Sequence, residues 1–163
     1  MFCTTTDAVT LAREQRQALA AIAARVDYEL IPSSKAQEKA VDLPAASGVT
    51  ITASPELGLE ATLRFTEWLA ARGHDAVPHL PARMIRDRAQ LAEIVARLHA
   101  AAIRRVFVLG GDATPCGDFP DGVTLLRALA DTGHPFEEIG IAAYPEGHAQ
   151  IPEAALVRGL QEK

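Results

Sequence analysis

The chain reads as an α/β fold built on a parallel sheet, and three observations predict it. Strand-like apolar runs alternate with helix-period segments five times along 163 residues. The units recur about every 30 residues, the size of one βα unit with its loops. Polar and ionisable residues stand at or just past the end of each apolar run, where ligands bind in parallel α/β folds.

Taken in order, Thr6-Asp7 followed by Val9, Leu11, Ala18, Leu19, Ile22 and Ala23 predicts a capped amphipathic helix, expected to cover one end or side of the rest. Val26 to Pro32 is a strand-like run, in which Glu29 is an acid with no obvious solvent face. Ala36 to Leu43 suits a short helix. Val49 to Thr52 is the second strand, opened by Ser47-Gly48. Ser54-Pro55-Glu56 predicts a helix start with a capping Ser and Pro at the first position. That helix carries Leu59, Leu63, Trp68 and Leu69 and stops at Gly73.

Asp75 to Pro81 is the third strand. Asp87 caps a periodic helix with Leu91, Ile94, Val95, Leu98 and Ala102 on one face. The fourth strand, Val106 to Leu109, breaks at Gly110-Gly111 and delivers Asp112 at the turn. Two glycines there let the backbone pass close to a ligand or take a positive φ. Val123 to Leu129 is the next helix, Ile139 to Ala143 the fifth strand, and Pro152 to Glu162 the last helix. Near-continuous apolar strands suit a parallel sheet covered on both faces. Five units fit either a doubly wound open sheet or the first part of an eight-stranded barrel. No Gly-x-Gly-x-x-Gly follows the first strand, so the dinucleotide fingerprint is absent.

Composition narrows the function classes. Hydrophobic residues are 48% and charged residues 23% of the chain, which predicts one folded domain over 1–163, with an N-terminal helix in 1–24 and βα units in 25–163. A formal charge of -5 without a Lys/Arg cluster argues against nucleic acid. No apolar window is long enough to span a membrane, and no secretory signal is readable. Two cysteines, Cys3 and Cys116, make neither a disulfide framework nor a metal motif, so a reducing cytoplasm is expected.

The candidate site gathers Glu29 with Ser33, Thr52 with Ser54, His79, Asp112, and Tyr144 with Glu146 and His148. Convergence from five strands outweighs any single member. Glu29 and Asp112 are expected as paired carboxylates in a water-poor cavity, one neutral and one ionised, with burial raising Glu29 toward the range of a general acid. Each also has a structural reading, such as Asp112 capping a turn, Thr52 serving the fold, or His79 sitting satisfied in the core. A divalent ion on His79, Asp112 and His148 is the weaker alternative, since no His-x-His or Cys pair supports it, and no metal is expected.

These segments resemble methylenetetrahydrofolate reductases. The matching stretches are Tyr28-Glu29-Leu30-Ile31-Pro32, Val49-Thr50-Ile51-Thr52, Val77-Pro78-His79-Leu80, Leu109-Gly110-Gly111-Asp112 and Ala142 to His148, in the family's order and spacing. The resemblance implies a (βα)8 TIM-barrel type fold, here an incomplete barrel of about five βα units, because the chain stops after the fifth strand. It implies reduction of 5,10-methylenetetrahydrofolate to 5-methyltetrahydrofolate with a hydride from NAD(P)H, NADH favoured, through bound FAD or directly. By position, Glu29 looks like the acid that helps open the folate ring to an iminium, and Asp112 like the carboxylate between the two rings. Thr52, His79, Tyr144 and His148 match positions lining the flavin, and Gly110 and Gly111 fall on the cofactor side. Gly110 departs from the basic residue that the family commonly has before its Gly-Asp. Ala53-Ser54-Pro55 likewise departs from an aromatic and glycines. The expected partners are a small-molecule folate and either a second copy or the missing barrel segment. The alternatives are a non-catalytic half-barrel that binds folate or nucleotide and acts through association, and a metal-dependent hydrolase.

Overall fold

The computed structural model describes residues 5–23, 26–149 and 151–163, with side chains described from Ala12 onward. Six α-helices and five strands follow one another in the expected alternation. They are α1 Thr5–Ala23, β1 Tyr28–Leu30, α2 Ser34–Ala40, β2 Gly48–Ile51, α3 Gly58–Ala70, β3 Asp75–Pro81, α4 Arg88–Ala100, β4 Arg105–Leu109, α5 Gly122–Asp131, β5 Glu138–Ile141 and α6 Glu153–Glu162. A single 3₁₀ turn, Ala82–Met84, lies between β3 and α4.

Every strand pair is parallel, and the order is β1-β2-β3-β4-β5. This sequential order has no reversal, so it lacks the switch point that defines a doubly wound sheet. Right-handed crossovers in such an order place all connecting helices on the same face. Burial agrees with that arrangement. Val49, Ile51, Ala76, Leu80, Val106 and Val108 are buried, and they share one core with Leu63 and Leu69 of α3, Leu91 and Leu98 of α4, and Leu125 and Leu129 of α5.

The opposite face is left uncovered, contrary to the expectation of cover on both sides. Burial alternates along β2 and β4, where Thr50 and Phe107 are only half-buried between buried neighbours and Arg105 is half-buried beside the buried Val106. The reason is topological: with every crossover on one side, only one set of side chains meets helices. Among the described side chains the N-terminal helix does not supply the missing cover. Leu19 is 65% and Ile22 64% exposed, and all described α1 side chains from Arg13 to Ala23 face solvent. Thr6 and Asp7 lie in its first turn, since the helix already begins at Thr5.

The starts of α2, α4 and α5 follow local chemistry, and that of α3 does not. Asp87 accepts from the Gln90 N–H at 2.8 Å, Asp121 from the Thr124 N–H at 2.8 Å, and Ser33 from the Ala36 N–H at 3.2 Å. Ser54-Pro55-Glu56 instead forms a turn. The Gly58 N–H donates to the Ser54 carbonyl at 2.9 Å, Gly58 takes φ +77, and α3 starts there without a side-chain cap. Both α3 and α4 close in the same C-terminal motif. His74 N–H reaches the Leu69 carbonyl at 3.2 Å around Gly73, and Ile103 N–H reaches that of Leu98 at 3.0 Å around Ala102.

Candidate functional site

The sequence-predicted residues fall into two groups. One occupies the uncovered sheet face. Glu29 sits at the centre of β1 beside Thr50 of β2, and the register carries His79 of β3 next to Phe107 of β4, and Phe107 next to Gly140 of β5. The His79 and Phe107 rings stack at 4.8 Å with 27° between their planes. The Phe107 ring also overhangs Gly140, where a Cβ would lie 2.6 Å from a ring carbon, so a glycine is needed for the ring to lie flat. Burial beside this ring pushes the His79 imidazole below its ordinary value, while the charge of Glu29 pulls it partly back up.

Glu29 itself is exposed, which corrects the expectation of a buried acid. It points to the face that no helix covers. Thr52 serves the fold: its N–H donates to the Leu30 carbonyl at 2.9 Å, and its own carbonyl accepts from the buried Thr62 hydroxyl at 3.1 Å. The end of β2 is thereby tied to both β1 and α3.

The second group surrounds a cavity of about 1080 Å³ at the carboxyl ends of β4 and β5, walled on its far side by α6. Gly110, Gly111 and Asp112 line it from the β4 loop, and Tyr144 and His148 from the β5 loop. Of the two glycines, Gly111 is the one the backbone requires. Gly111 takes φ +83, and a Cβ there would come within 2.8 Å of the Pro81 side chain. Beside Gly110 runs the start of α5, where a Cβ on Gly122 would sit 3.4 Å from the Leu109 and Gly110 backbones. A Cβ built on Gly110 itself would meet the Gly122 nitrogen at 3.9 Å, an ordinary contact.

The loop that carries Asp112 is held from the end of β3. Arg83 N–H donates to the Gly110 carbonyl at 3.1 Å, the Arg83 carbonyl accepts from Cys116 N–H at 3.1 Å, and Asp118 N–H reaches the Arg86 carbonyl at 2.7 Å. Phe119 is buried below the loop. Asp112 remains exposed, with no ion pair among the described residues. Across the cavity Tyr144 and His148 meet edge to face at 5.1 Å and 79°. Helix α6 has no buried residue and is fastened by Arg127 to Glu162 at 3.4 Å and by Lys163 Nζ to the Ala142 carbonyl at 2.9 Å.

Glu29 and Asp112 therefore do not share a water-poor cavity. β1 and β4 are three strand spacings apart, about 14 Å, and both carboxylates face solvent. Nor do His79, Asp112 and His148 converge: among the described residues no group of three or more His, Cys, Asp and Glu could hold one ion. Sequence reasoning missed Phe107 and Arg83. Phe107 was visible only as one apolar residue of a strand, and its role depends on which residues flank it in the sheet.

The cavity is large enough for a dinucleotide-sized ligand, and the Tyr144–His148 pair offers a flat ring contact. The start of α5 offers no seat for an anion. There Asp121 already takes the Thr124 N–H and, at 2.9 Å, its hydroxyl, so a negative group occupies the anion position of that helix. Among the described residues no helix is long and apolar enough to cross a membrane. No known protein-family model matches the chain.

Proposed function

We propose that this chain is the N-terminal part of a methylenetetrahydrofolate reductase-like barrel, with NAD(P)H as the hydride source. The observation that carries the reading is the cavity where Asp112, Tyr144 and His148 meet at the carboxyl ends of adjacent parallel strands. The sequential strand order, with helices on one side, is that of one wall of a (βα)8 barrel, and it supports the same reading.

In this reading the chain's own residues orient and charge the reaction. Tyr144 and His148 hold a ring at one side of the cavity. Asp112 faces the cation that forms when the folate five-membered ring opens. Two unit charges 4 Å apart interact by about 1 kcal/mol in bulk water but about 4 kcal/mol at an effective dielectric of 20. Since Asp112 is exposed, substrate must displace water from it before the carboxylate contributes much. The acid role that the resemblance gives Glu29 falls outside this cavity, on the uncovered face about 14 Å from β4. A bound nicotinamide supplies the hydride.

The test is NADH oxidation by the purified chain with methylenetetrahydrofolate, with and without added FAD. Turnover without FAD supports direct transfer, and turnover only with FAD restores a flavin route. No turnover in either condition sinks the catalytic reading. It would favour the second one, a folate- or nucleotide-binding half-barrel that acts through association, for which the uncovered sheet face is the specific support.

A further inference from the structure

We propose that Arg83 forms an oxyanion-binding subsite of the cavity, taking a phosphate or carboxylate oxygen pair of the bound ligand. The proposal rests on the reductase-type reading for its ligands and goes beyond it in naming the recognition group. Arg83 lines the cavity together with Asp112 and Arg127. Its backbone is held on both sides, by Gly110 and by Cys116, and its Nε donates to the Pro120 carbonyl at 2.9 Å. One of the five guanidinium N–H groups is thus spent on fixing the plane, and the two terminal nitrogens are left as donors.

Among the described residues no carboxylate lies within ion-pair distance of Arg83. Arg127, the neighbouring cation of the cavity, is already paired with Glu162 at 3.4 Å. A guanidinium whose orientation is set before binding loses little freedom on gripping an oxyanion with two parallel hydrogen bonds. Its place at the end of β3, hydrogen-bonded to Gly110, also puts a cation next to the position where this chain carries glycine. Ties from Arg83 to the loop mean that ligand binding and the position of Asp112 are mechanically linked.

The experiment measures dissociation constants of NADH, pteroylglutamate and pteroic acid by calorimetry for the wild type, Arg83→Gln and Arg83→Lys, with melting temperatures as a folding control. Pteroic acid keeps the ring system of pteroylglutamate without its glutamate carboxylates. For one probe, Arg83→Gln is expected to weaken binding by about tenfold or more, the scale of a charge-assisted hydrogen bond, with part recovered in Arg83→Lys. Selective weakening of NADH assigns the oxyanion as phosphate, and selective weakening of pteroylglutamate over pteroic acid, which keeps a benzoate carboxylate, assigns it as a glutamate carboxylate. Unchanged affinities in Arg83→Gln, or an equal loss for all three probes together with a lowered melting temperature, overturn the subsite and leave the reductase reading standing. Wild-type protein that binds none of the three probes overturns both.

Discussion

The fold controls the protonation of His79. Burial holds its imidazole below the ordinary value of 6.5, and the charge of Glu29 opposes that shift. The unfolded chain therefore binds this proton at a pH where the folded chain does not. The contribution of His79 to stability is complete above 6.5 and falls as the pH drops below it. Urea midpoints between pH 8 and 5 should show this slope, and His79→Gln should flatten it. Removing the Glu29 charge in Glu29→Gln should move the His79 titration further down, readable from its ring proton in NMR; an upward move would contradict the pairing. Ala102 offers a second test at single-residue scale. It sits at φ +58 in the closing turn of α4, a region that costs a residue with a Cβ about 1–2 kcal/mol. Glycine relieves that strain but adds freedom to the unfolded chain. Ala102→Gly should therefore stabilise by about 0.5–1 kcal/mol in chemical denaturation, and a loss of stability would refute the strain.

At the level of elements, the junction of β4 with α5 decides the shape of the cavity. Asp121 closes the start of α5 through the N–H and hydroxyl of Thr124. Asp121→Ala should cost about 1 kcal/mol, the usual effect of losing such a cap, measured as a shift of the urea midpoint at constant slope. Gly111 is the harder constraint, because its φ of +83 and the Pro81 side chain 2.8 Å from a built Cβ act together. Gly111→Ala should destabilise by more than Asp121→Ala, by about 2 kcal/mol or more, and should displace the Asp112 loop. Equal effects for the two variants would mean that the turn yields easily. Helix α6 belongs to the opposite case, a wall with no buried side chain of its own.

Across the whole molecule, the dominant feature is a parallel sheet with helices on one face only. Parallel sheets are ordinarily covered on both, and the bare face here presents Glu29, Val77, the His79–Phe107 stack and Arg105, the last paired with Asp75. Self-association through this face is the expected outcome in sedimentation at tens of micromolar. A monodisperse monomer would mean that the half-buried polar groups suffice to solvate it. Exposure of Glu29 also makes one catalytic test clean. Glu29→Gln should stay within about 0.5 kcal/mol of wild-type stability, as surface substitutions do, while abolishing turnover if Glu29 is the acid. Retained turnover would remove that role.

Much of the fold is legible from local pattern alone. β3 from Asp75 to Pro81, the Asp87 cap of α4 and the glycine break after β4 follow from neighbours within a few residues, and so survive in the folded chain as read. Where a local signal met a competing one, it failed: Ser54-Pro55-Glu56 has the chemistry of a helix start, yet the chain turns once more and begins α3 at Gly58. The site was legible as a set of polar residues at strand ends, and that placement persists for Asp112, Tyr144 and His148 around one cavity. Its geometry was not. Whether Glu29 is buried depends on which face the helices cover, and that depends on strand order, a long-range property that no residue spacing encodes. The stacking of His79 on Phe107 over Gly140, and the grip of Arg83 on both ends of the Asp112 loop, arise between segments separated by a whole βα unit. Periodicity settles elements because it acts through adjacent turns and pleats; pairing settles neighbours, and only pairing could bring these groups together.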